Sequence, residues 1–143
     1  MTYSVHAQKT ISDKGHKLTT ARILVIDVIE KSSKALNAYE IANLINKNGK
    51  EIDTVSVYRT LSLLSSLNLV HKTSEGKFIA CQEFECSNKS HCHHQFICTS
   101  CGKIKEIHVD DGAFIEKLNK KFLNIFISSH SFQFSGLCEK CKK

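Results

Sequence analysis

Four cysteines carry the clearest chemistry in this chain: Cys98-Thr-Ser-Cys101 and Cys138-Glu-Lys-Cys141, two pairs separated by 36 residues. Two residues between thiolates let both sulfurs of a pair reach one tetrahedral ion from a tight turn. Two such pairs complete a closed site with no position left for a substrate. Gly102, behind the first pair, helps the chain turn with its amides toward the sulfurs. A redox C-x-x-C motif works as one pair within a βαβ pattern, whereas this chain has two pairs and no such pattern. The expectation is a structural zinc without which the second half does not fold.

All seven cysteines lie after residue 80, together with five of the eight histidines. Clustered Cys and His in a cytoplasmic chain read as metal ligands rather than as a disulfide framework, and the odd count opposes full pairing. Beyond the four-cysteine set, the ligand types are His71, Cys81, the run His91-Cys92-His93-His94, and Glu106. Imidazole with one thiolate and one carboxylate suits zinc, while iron(II) prefers sites without thiolate. An ion held across these positions would tie the two halves of the chain together, a physical basis for a switch. The plainer alternatives are a solvated histidine on a hairpin and a surface glutamate on a strand. Cys86, Cys92, His108 and His130 could serve a third site, or none.

The elements that must carry these residues can be read from pattern. Thr19 or Thr20 caps a helix whose Ile23, Leu24, Ile26, Val28 and Ile29 fall largely on one side. Asn37-Ala38-Tyr39-Glu40 has the form of a capping box ahead of Ile41, Leu44 and Ile45, and Gly49 closes that helix. Asp53 caps a third helix, Thr54 to Leu67, with Val57, Leu61, Leu64 and Leu67 inward and Ser56, Tyr58, Arg59 and Ser62 outward. Leu69 to Lys72, a turn at Ser74-Glu75-Gly76, and Lys77 to Ala80 form a hairpin. Three helices and a hairpin are the order of a winged helix-turn-helix, placed at residues 1–81. A polar run, Gln82 to Ser90, serves as hinge or loop. Residues 91–143 form a second unit: strands at Gln95 to Cys98 and Lys103 to Val109, a helix capped by Asp110 or Asp111 and running to Phe122, and one or two strands within Ile125 to Phe134. The fold class is α+β.

The 143 residues are 41% hydrophobic and 24% charged, a soluble globular composition. Two units of this size bury small cores, which makes a metal or a partner subunit a natural staple. Met1 to Lys17 is polar throughout, so no signal peptide is read there, no membrane span follows, and the expected location is cytoplasmic. The formal net charge of +6 favours an anionic partner mildly. Residues 1–80 hold eleven Lys/Arg against seven Asp/Glu, so the front half is the more basic. Catalysis is not expected: no His is followed two residues later by Glu ahead of a C-x-x-C, and neither H-E-x-x-H nor a phosphate-binding G-x-x-x-x-G-K-[ST] occurs. A thiol-based sensor, with Cys81 or Cys92 reactive, and a zinc-ribbon interaction module are the other classes.

Asp53-Thr-Val-Ser-Val-Tyr-Arg-Thr-Leu61 resembles the recognition helix of the ferric uptake regulator family, whose members carry a T-V-Y-R-T-L run. Gly15 to Arg22 is similar to the segment leading into that family's first winged-helix element. Phe96 to Lys103, Glu106 and Ser129 to Cys138 follow the family's back domain in order and spacing. The resemblance covers nearly the whole chain. It implies a small C-terminal α/β dimerisation domain with structural zinc, and a homodimer that binds a double-stranded inverted-repeat operator when its regulatory metal is present. Tyr58 and Arg59, with Ser56 beside them, would meet the major groove, and Lys14, Lys17 and Arg22 would meet phosphates.

Within the family, the zinc uptake regulators match best. His71, Cys81, His91 and Glu106 occupy the four positions of their sensing site, with His93 and His94 as alternates because the loop after Cys81 is long. The iron sensors often carry a His in the stretch held here by Lys34-Ala35-Leu36, and usually another where Gln95 stands. The implied function is a zinc-responsive repressor of zinc-acquisition genes, with about two zinc ions per chain and no small-molecule substrate. The alternative is an iron(II)- or peroxide-responsive repressor of the same family.

Overall fold

Helix α1, Tyr3–Asp13, opens the computed structural model, which describes residues 1–81, 94–107, 111–127, 130 and 132–142. The chain divides into two compact units, Met1–Ser87 and Asn88–Lys143. The division falls within the 82–90 stretch expected as a hinge, which lies outside the described residues.

The first unit continues with α2 (Thr20–Lys31), α3 (Ala38–Lys47), α4 (Thr54–Ser66) and the hairpin β1 (Val70–Lys72) and β2 (Phe78–Ala80). Each helix starts on a side-chain cap: Thr2, Thr19, Asn37 and Asp53 each accept from a backbone N–H of the first turn. At α3 the capping box is complete, with the Glu40 carboxylate accepting from the Asn37 N–H at 2.7 Å. One core gathers Ala7, Ile11, Val25, Ile26, Ile41, Val57 and Leu64.

Three details depart from the pattern reading. Helix α1 was not expected; Tyr3, Ala7 and Ile11 form a single buried stripe at four-residue spacing in a polar segment. In α2, Val25 joins Ile26 and Ile29 in the core while Ile23, Leu24 and Val28 are half-buried. Leu44 of α3 points outward, and Ala38 and Ala42 fill the inner face instead.

The turn between α3 and α4 is stapled by Asn46, whose side-chain oxygen accepts from the Ile52 N–H at 3.0 Å. Helix α4 ends on Asn68 at φ 56°, and the Leu69 N–H reaches back to the Leu64 carbonyl at 2.8 Å, a Schellman closure. The hairpin is antiparallel, with His71 opposite Ile79, and Phe78 exchanges backbone hydrogen bonds with Leu36, which fastens the wing to the helices.

The second unit is a three-stranded sheet of order β4-β3-β5, made of β3 (His94–Cys98), β4 (Ile104–Ile107) and β5 (Gln133–Gly136), with α5 (Gly112–Lys121) between the last two in sequence. Strands β3 and β4 are antiparallel, and β3 and β5 are parallel with Cys98 opposite Gly136. The only strand described in the 125–136 region is β5, which starts at Gln133, so the expected pattern from Ile125 yields one short strand placed late. Asp111 occupies the N-cap position of α5 but makes no side-chain cap. Among the described residues of this unit, the buried apolar side chains are Cys98 and Ile104, while Leu123 and Phe126 are more than four-fifths exposed. So small a core needs another source of cohesion.

Candidate metal centres and nucleic-acid interface

That cohesion is available where β3 and β5 end. Their parallel pairing sends both strands out on the same side, so the turn Cys98–Cys101 and the turn Cys138–Cys141 arrive together. The Thr99 N–H donates to the Gly136 carbonyl at 2.8 Å, locking the two exits. The four sulfurs lie within 4.8 Å of one another. Ligands on a tetrahedron around an ion at ~2.3 Å stand ~3.8 Å apart, and Cys101 Sγ to Cys138 Sγ measures 3.8 Å. This spacing is far beyond a disulfide bond and fits one divalent ion closed off by thiolates.

The electrostatics agree. Backbone N–H groups of Cys101 and Cys138 aimed at Cys98 bring its thiol down to about 6, and the Cys138 N–H to Cys98 Sγ distance is 3.4 Å. The Cys138 thiol is lowered by the N–H of Cys141. Cys141 goes the other way, up to about 11: Ser100 favours its thiolate, but Cys138 and Cys101 together outweigh it. Crowded sulfurs that resist full ionisation lose their last protons to solvent when a cation binds. Gly102, at φ 71°, makes the turn beneath Cys98 possible.

In the first unit, a ring nitrogen of His71 on β1 and Cys81 Sγ just beyond β2 lie within 4.8 Å of each other, so one ion can take both. Cys81 is buried. In the second unit Glu106, on β4 opposite Gln95, is also buried. His91 and His93, with Cys86, Cys92 and His108, lie outside the described residues. His94 is engaged elsewhere: its Nε2 is 2.7 Å from Asp111 Oδ2, and its Nδ1 accepts from the Phe132 N–H at 2.9 Å. His130 Nε2 meets the same Asp111 oxygen at 2.5 Å. His94, Asp111 and His130 thus form a third set of ligand-type groups. Pattern reading marked His130 but missed Asp111, which resembled a helix cap.

On the first unit's surface, Tyr58 and Arg59 are exposed on α4, and the Tyr58 ring stands edge-on to Tyr39 of α3 with centroids 6.3 Å apart. Tyr39, Tyr58 and Arg59 together present two hydroxyls and a guanidinium from adjoining helices. Ser56 has its hydroxyl committed to Asp53 Oδ2 at 2.7 Å. Arg22 donates to the Lys17 carbonyl, shaping the loop before α2, while Lys14 and Lys17 are exposed.

A winged helix joined to a small α+β unit closed by four cysteines defines a metal-dependent DNA-binding regulator. The model of the Ferric uptake regulator family matches residues 13–135, and the chain belongs to that family. It is 34% identical over 140 residues to the ferric uptake regulation protein of Staphylococcus epidermidis, covering 96% of this chain and 94% of that protein. With the Bacillus subtilis protein of the same description, identity is 29% over 135 residues, covering 94% and 91%. Among solved structures, a zinc uptake regulator complexed with zinc and DNA superposes with TM-score 0.82 at 25% identity, covering 96% of this chain and 91% of that one. Holo XcZur gives 0.79 at 26%, covering 97% and 96%. The Helicobacter pylori ferric uptake regulator gives 0.62 at 25%, covering 100% and 95%. Membership makes the protein a metal-binding transcription repressor, not an enzyme, acting as a homodimer on operator DNA. Among the described residues no helix is long and apolar enough to cross a membrane.

Proposed function

We propose that this regulator senses zinc and represses genes of zinc acquisition from the cytoplasm. The observation that carries the reading is the sulfur of Cys81 within reach of His71 at the end of the wing hairpin, a donor pair that favours zinc over iron(II). Zinc fills the four-cysteine centre, and His71, Cys81, His91 and Glu106 hold the regulatory ion, with His93 as the alternate to His91. When bound, that ion supplies a cross-link that favours the DNA-competent form by differential affinity. Tyr58 and Arg59 enter the major groove, with Lys14 and Lys17 on phosphates. The exposed apolar side chains of the second unit, Phe126 and Leu123 among them, form the dimer face.

An iron(II) sensor is the second reading, favoured by the description of the relatives at 29–34% identity as ferric uptake regulation proteins. The discriminating experiment is binding to an inverted-repeat duplex, selected from a random pool by the protein itself, under buffered zinc or iron(II). Zinc-dependent binding lost in Cys81→Ser, with one tight zinc retained per chain, supports zinc sensing. Iron(II)-driven binding indifferent to Cys81 overturns it.

A further inference from the structure

The Leu69 carbonyl receives two hydrogen bonds, from the Tyr3 hydroxyl at 2.9 Å and from the Cys81 N–H at 2.9 Å. Leu69 is also the residue whose N–H closes α4 on Leu64. One residue, through its N–H and its carbonyl, is therefore the junction between the end of α4, the start of the strand carrying His71, and the backbone of Cys81. A carbonyl has two acceptor positions, and here both are taken.

We propose that Tyr3 is a positioning residue for the regulatory metal: its hydroxyl fixes the Leu69 carbonyl, which in turn sets where the Cys81 backbone, and so its sulfur, stands beside His71. This inference rests on the reading of Cys81 as a ligand given above. Tyr3 is 8% exposed, and its helix is anchored independently by the Ser4 N–H on Glu30 at 3.0 Å and the Ser4 hydroxyl on Asp27 at 3.2 Å. Burial first, then the neighbouring Cys81 and Glu30, push the Tyr3 hydroxyl's pKa up, so it remains a proton donor throughout the working pH range. Packing alone would be met by phenylalanine; the hydroxyl is the part that reaches the junction. Outer partners of metal ligands set ligand orientation and thereby affinity.

The test uses the full chain with zinc in the four-cysteine centre and cobalt(II) titrated as the probe of the second site. Its sulfur-to-cobalt charge-transfer band reports Cys81. Tyr3→Phe should bind the second ion about fivefold more weakly, the effect of one neutral hydrogen bond, with an altered band. Ile11→Val, which loosens the same helix without touching the hydroxyl, should leave affinity and band as in the wild type. Tyr3→Phe behaving as wild type, while Cys81→Ser abolishes the band, would overturn the inference and leave the zinc-sensing reading intact. Tyr3→Phe and Ile11→Val weakening binding alike would also overturn it, by reducing Tyr3 to packing. A band that survives Cys81→Ser would remove the ligand itself and both readings with it.

Discussion

Asp111 and His130 meet at 2.5 Å, carboxylate oxygen to Nε2, at the place where α5 would otherwise receive its cap. The carboxyl is held below its ordinary range, by His130 first and by His94 behind it. Two imidazoles and one carboxylate converging from three segments are a donor set for a divalent ion with open positions. Zinc titration followed by mass spectrometry under native conditions should show a third, weaker equivalent per chain. Asp111→Ala should lose that equivalent alone. Retention of all three equivalents in Asp111→Ala would remove this grouping as a metal site.

Loss of the four-cysteine centre should be all-or-none. Binding of a structural zinc is worth about 10–16 kcal/mol, more than a core built on Cys98 and Ile104 can replace. Cys138→Ser should release one tight zinc and abolish protection of the sheet amides in hydrogen exchange. The amides of α2 to α4 should remain protected. Unchanged protection at β3 would show that the sheet holds without metal.

Acid should act on α4 through its cap. The Asp53 carboxyl sits below its ordinary value because the Ser56 hydroxyl and the Ser56 N–H both donate to it. A depressed folded-state value means its contribution is complete above the unfolded value near ~3.9 and is lost as pH falls through the lower folded value. The Ser56 amide shift, followed by NMR, should titrate below pH ~3.9 in the wild type and stay flat in Asp53→Asn. A midpoint above the ordinary aspartate range would contradict this geometry.

For DNA, Arg59→Ala should cost about 1–3 kcal/mol on the selected duplex and relax discrimination at one base pair per half-site, as expected of a guanine-edge contact. Lys17→Ala should weaken all duplexes nearly equally and reduce the salt dependence. If Arg59→Ala instead lowers affinity uniformly across sequences, its contact is with phosphate.

Much of this was legible because local rules and tertiary demands agree. The capping box at Asn37 and Glu40, the caps at Thr19 and Asp53, and the paired C-x-x-C turns are each set by neighbours within a few residues. Helix α1 was harder to read because one apolar residue per turn does not raise a segment above its polar background, yet Ala7 and Ile11 are fully buried. Asp111 looked like a cap because sequence cannot show that His94 and His130, 17 residues before it and 19 after, come to the same oxygen. Ser56 and Arg22 show the same limit of a sequence reading: it offers both to DNA without showing that Ser56 also donates to Asp53 and Arg22 to the Lys17 carbonyl.

Because the turns that β3 and β5 bring together lie far apart along the chain, the site has an order of events during synthesis. Cys98 and Cys101 leave the ribosome first, and their partners follow after the intervening 36 residues. At about 5–20 residues per second the first pair waits roughly 2–8 seconds. By then every element of the first unit's core has already been made. For that interval the nascent chain carries the whole first unit beside two uncommitted thiols, and the Cys101 N–H, which makes the Cys98 thiol more acidic in the finished turn, is already present. Metal supply and oxidants compete for the protein at this moment, before the dimer exists.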